Sequence, residues 1–79
     1  MPITAPPKAN LQALKESWNS PYVAREQVAL FSGGALNPRT LANHDSQKTG
    51  PKDRIRIGRK IVYSVDSLIE WMEERAEQL

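Results

Sequence analysis

Apolar residues recur at helical spacing in three stretches of this chain and alternate with charges in a fourth. Leu11, Leu14 and Trp18 stand at i, i+3 and i+7, enough for a helix of one or two turns over 11–18 that needs a packing partner to persist. Asn19-Ser20-Pro21 breaks the chain behind it. Ala24, Val28 and Phe31 form a second stripe, which predicts a helix from about Ala24 to Phe31, ended by Gly33-Gly34. The third stripe is Val65, Leu68, Ile69 and Met72 with Trp71 beside it, a longer helix that Ser64 can cap. Between the last two lies a helix recognised by its start. Asn37 is a good N-cap, and Pro38 suits the first helical position, where no amide is needed. This helix runs from Pro38 to about Gln47, with Leu41 as its one large aliphatic anchor and His44 next to it.

The alternating stretch is Arg54-Ile55-Arg56-Ile57, followed by Gly58-Arg59-Lys60 and then Ile61-Val62-Tyr63. It predicts a two-stranded antiparallel ribbon. A three-residue loop at 58–60 pairs Ile57 with Ile61 and Ile55 with Tyr63, which collects the apolar side chains on one packed face and turns Arg54 and Arg56 outward. A two-residue Gly58-Arg59 loop fits Gly-X turn chemistry better but sets Lys60 among the isoleucines, so burial favours the longer loop. The predicted order is helix, turn, helix, two-stranded wing, helix: a mainly α fold with a small antiparallel β-ribbon. Residues 1–10 hold three prolines and no apolar periodicity, which predicts disorder. Residues 1–20 are therefore read as a flexible N-terminal arm carrying the short helix, and 21–79 as the domain.

Composition narrows the function. A 79-residue chain makes one small domain that buries only about 60% of its unfolded surface, which leaves little room for a deep enzyme pocket. There is no cysteine and one histidine, so neither a disulfide nor a metal site is expected, and no cofactor is implied. No apolar run approaches a membrane span, and the opening MPITAPPKAN lacks the apolar stretch of a signal peptide, so the expected location is the cytoplasm. The net charge is only +2, but it is sorted: Arg39 to Lys60 carries seven Lys/Arg against two Asp, and Ile61 to Leu79 carries five acids against one Arg. A concentrated positive field of this kind attracts polyanions while the acidic end stays out of the contact.

The chemistry follows from that middle segment. With Leu41 facing inward, the helix from Pro38 turns Arg39, Asn43 and Ser46 outward, flanked by Thr40, Ala42 and Gln47. These side chains can bond base edges and phosphates, and the amides at the capped end near Asn37 attract phosphate. Lys48 behind the helix, Arg54 and Arg56 on the ribbon, and Arg59 and Lys60 at its tip complete the candidate contacts with DNA. The alternative for such a face is an ordinary solvated helix, or an adaptor surface for an acidic protein partner. The consecutive residues His44-Asp45-Ser46 do not make a hydrolase triad, because neighbours on a helix point about 100° apart.

The stretches YVAREQVA, NPRTLAN and RIRIGRKIVYSVDSLIEWMEER resemble the excisionase-like winged helix-turn-helix family of phages and bacteria, related to the DNA-binding domains of MerR-type regulators. The likeness runs from Tyr22 to about Arg75. It implies that the helix from Pro38 reads the major groove and that the Arg59 tip contacts backbone or minor groove. It further implies a small factor that directs site-specific recombination or regulates transcription, with double-stranded DNA as its partner, together with an integrase or neighbouring copies. The chain departs from the family pattern in four places: Ala24 where a Ser/Thr cap is usual, a turn longer by about two residues at SGGAL, His44 at a common aromatic position, and Asp45 where a basic residue is frequent.

Overall fold

In the computed structural model the described residues are 11–77. The disorder expected of residues 1–10 lies outside them. The elements run α1 (Gln12–Glu16), β1 (Tyr22–Ala24), a 3₁₀ turn (Arg25–Gln27), α2 (Val28–Phe31), α3 (Pro38–Ser46), β2 (Arg54–Ile57), β3 (Lys60–Ser64) and α4 (Val65–Arg75). The described residues form a small domain of four α-helices against a three-stranded antiparallel sheet of order β1-β3-β2.

The two best-capped helices form where their start signals place them. Asn37 Oδ1 accepts the Thr40 amide at 2.8 Å ahead of Pro38, and Ser64 Oγ accepts the Ser67 amide at 3.1 Å ahead of Val65. The end of α3 is a Schellman closure: the Thr49 amide reaches the His44 carbonyl at 2.8 Å, the Lys48 amide reaches that of Asp45 at 3.1 Å, and Lys48 takes a left-handed φ of 62°. The helix expected from Ala24 to Phe31 is shorter. Tyr22–Ala24 joins the sheet as a third strand, pairing Val23 with Tyr63, and only Val28–Phe31 is α-helical after the 3₁₀ turn. Ala24 caps that turn with extended backbone and no side-chain bond, as its methyl group requires.

Val23, Val28, Phe31, Leu41, Tyr63, Val65, Leu68, Ile69 and Trp71 form the buried core. Leu11, Leu14 and Trp18 pack against it, which gives the five-residue α1 the partner that so short a helix needs. Trp18 meets Phe31 edge-to-face at 5.4 Å, and the Leu11 amide donates to Glu73 Oε2 on α4 at 2.8 Å. The packing thus carries the domain back beyond Pro21, at least to Leu11. No helix among the described residues is long and apolar enough to cross a membrane.

The ribbon has a different register from the one burial arguments favour. Ile57 pairs with Lys60, Arg56 with Ile61, Ile55 with Val62 and Arg54 with Tyr63, so the loop is the two-residue Gly58-Arg59. Gly58 alone in this loop has positive φ (63°), as a type II′ turn requires of its first central residue. Opposite residues share a face, so Arg54 and Arg56 lie on the side of Tyr63 and Ile61, while Ile55 and Ile57 are 37% and 62% exposed on the other. The isoleucines expected on the packed face are therefore on the other one, while Arg54 and Arg56 stay exposed but share the face of Tyr63 and Ile61. The cause lies across the chain: Tyr63 belongs to the core, and Arg54 beside it meets a buried carboxylate.

Candidate nucleic-acid interface

That carboxylate is Asp45. It stands one helical turn after Leu41, on the inner side of α3, and is the one polar or charged residue that is buried among those described. Its Oδ2 accepts the Tyr63 hydroxyl at 2.6 Å and pairs with Arg25 Nη2 at 2.6 Å. Arg54 Nη1 lies 3.0 Å from Oδ1, too far off axis for a hydrogen bond, and donates to the Asp45 carbonyl at 3.4 Å. Arg25 Nε donates to the Tyr63 hydroxyl at 2.9 Å, which closes the group. Gly50 makes room for it: a Cβ there would collide with Asp45 Oδ1. Four separate elements meet at one carboxylate, so the position of the hairpin is tied to that of α3.

Burial, and then the hydrogen bond and charge of Asp45, push the Tyr63 phenol up to about 12 against the opposing pull of Arg25. A phenol raised in the folded state contributes its full stabilisation below the ordinary value near 10 and loses it as pH climbs through about 12. The shift corresponds to about 3 kcal/mol. Stability should therefore fall between about pH 10 and 12 in the native protein, and the Tyr63→Phe variant should lack that component when both are unfolded by urea across this range. Parallel pH curves for the two would remove Tyr63 from the account.

The remaining candidates divide clearly. Arg39, Asn43, Gln47 and Lys48 are exposed along α3 and its end. Asn37 is exposed, with its side-chain oxygen engaged as the cap. Ser46 is exposed as well, and its hydroxyl donates to the Asn43 carbonyl at 2.9 Å. Thr40 is half-buried and faces the other way, into a groove shared with His44, Trp71 and Leu14. His44 is half-buried packing, 5.1 Å edge-to-face from Trp71, with Nδ1 2.9 Å from Thr49 Oγ1.

Two clefts separate α3 from the hairpin. The first is lined by Arg25, Glu26, Pro38, Arg59, Lys60 and Ile61. The second shares Arg25 and Ile61 and adds Ala42, Asp45, Ser46, Arg54 and Arg56. Lys60 forms an exposed ion pair with Glu26 at 2.7 Å, an interaction worth little in water and easily exchanged for another anion. Arg39, Arg56 and Arg59 have no acidic partner among the described residues. Acids of α4 are engaged elsewhere: Asp66 with Lys15 at 2.9 Å and Glu70 with Lys52 at 3.7 Å. Among the described residues no group of three His, Cys, Asp or Glu could hold a metal ion.

The sequence pattern assigns no role to Arg25 and marks Asp45 only as a departure from the family's frequent basic residue. The i+4 spacing from Leu41 was the available signal for burial of Asp45; nothing local marks Arg25. No protein-family model matches the chain, and no curated protein matches it either.

Proposed function

We propose that this chain binds double-stranded DNA as a winged helix-turn-helix module of the excisionase-like kind. In this reading α2 and α3 form the helix-turn-helix, α3 lies in the major groove, and the β2–β3 hairpin is the wing on the backbone or in the minor groove. The observation that carries it is the placement of Arg39, Arg56 and Arg59, exposed and without acidic partners among the described residues, on the capped α3 and the facing hairpin. Cations left unpaired beside a helix of groove-sized reach are what a phosphate backbone requires. Arg39 and Asn43 are the side chains best placed to read base edges, and Arg59 at the hairpin tip to contact phosphate. The biological role that fits is recombination directionality beside an integrase, or transcription regulation, with neighbouring copies on the same DNA.

Duplex binding measured across a salt series tests the reading. Three phosphate contacts alone give a log-log slope of about −2.7, so affinity should fall steeply with salt. Arg59→Ala should reduce the slope by about one unit on any duplex, whereas Arg39→Ala should cost about 1–3 kcal/mol at a cognate site and less on random sequence. A response flat in salt overturns the DNA reading and leaves the adaptor for an acidic protein surface in its place.

A further inference from the structure

We infer that the second cleft between α3 and the hairpin seats a single phosphodiester of the DNA backbone, with Arg25 as its principal donor. The inference rests on the DNA reading above and names a contact that reading does not contain. Three guanidinium groups, those of Arg25, Arg54 and Arg56, line this cleft against one carboxylate, Asp45. The carboxylate does not cancel the site, because its charge is offset by Arg25 at 2.6 Å and by Arg54 at 3.0 Å.

What Asp45 supplies is orientation. Arg25 commits Nε to Tyr63 and Nη2 to Asp45, and Arg54 commits Nη1 to Asp45. The side chains nevertheless stay 27% and 42% exposed, and both line the cleft. An arginine already held in one rotamer loses little freedom on binding, and its planar fork matches two phosphate oxygens. The α3 wall of the cleft is Ala42 and Ser46, side chains small enough to let a backbone approach. A phosphate held there touches α3 and the hairpin together and fixes the register of both on one strand.

The test uses the isotope-labelled full chain and follows its arginine Nε–Hε resonances while a random-sequence duplex, and separately inorganic phosphate, is added at low salt. The Arg25 and Arg54 signals should shift with duplex. In a folded Arg25→Gln variant the salt slope of duplex binding should shrink by about 0.9. If Arg56 and Arg59 respond to duplex while Arg25 and Arg54 stay fixed, the cleft is not a phosphate site although the protein binds DNA. An unchanged salt slope in folded Arg25→Gln has the same meaning. Shifts with inorganic phosphate but not with duplex overturn the assignment to DNA, and silence of every arginine toward duplex removes the DNA reading itself. The wild-type resonances decide the matter even where the variant fails to fold.

Discussion

Trp71→Ala should lower the unfolding free energy by about 3–5 kcal/mol, enough to leave much of the population unfolded in a domain of this size. The indole is buried in the core, and it also joins distant parts of the chain. Its Nε1 donates to the Thr49 carbonyl at 2.7 Å, which pins the loop after α3, and its ring packs against His44. Arg75 lies 4.2 Å over the ring and donates to the same carbonyl at 2.9 Å. Truncation opens a cavity and frees the end of α3 in one step. Trp71→Phe restores most of the packing but not the indole donor, so it should cost nearer 1 kcal/mol beyond the lost ring area. Urea unfolding of both variants provides the check, and a loss below about 1 kcal/mol for Trp71→Ala would contradict the role given to it.

The second large effect belongs to Asp45. Asp45→Ala leaves Tyr63 and Arg25 without their shared acceptor and Arg54 without its charge partner, and removing one member of a buried ionic group typically costs about 3–5 kcal/mol. Both arginines can still reach water, so the lower end of that range is expected here. Gly50→Ala should cost about 1–3 kcal/mol, because the added methyl meets the carboxylate before anything else. The two changes should not add. With Asp45 already alanine, the methyl at position 50 has space, and the double variant should be more stable than the sum of the singles by at least about 1 kcal/mol. Strict additivity in a thermodynamic cycle would show that Gly50 serves some other purpose.

These effects also mark where local pattern stopped informing. Asn37-Pro38 and Ser64 announced α3 and α4 because a cap is a contact within four residues. Val23 sits in a strand of only three residues, too short to show alternation, and its partner Tyr63 is remote in sequence, so β1 has no local signature and only its last residue, Ala24, falls in the helix that the pattern predicts. The hairpin was legible as a hairpin, but two registers one residue apart differed only in which face met the core. Assigning the isoleucines to that face neglected a carboxylate on another element, whose demand for a cation reversed the choice. Arg39, Asn43 and Arg59 are exposed as the sequence implied, whereas Arg54, though exposed, is paired with Asp45, and Thr40 turns to the opposite groove.

The sheet order has a kinetic consequence. β3 is the middle strand, and its two neighbours reach it by very different routes: β2 through the two-residue loop at Gly58-Arg59, β1 through the whole interval between Tyr22 and Ser64. Hairpins of the first kind form in about 1–10 μs, whereas the second closure must overcome the chain entropy of everything lying between. The β2–β3 pair can therefore exist as a nucleus before β1 arrives. Since β1 leads directly into the turn that carries Arg25, the last strand to dock also brings the partner that Asp45 and Tyr63 await, and the charged centre is completed only when the sheet is.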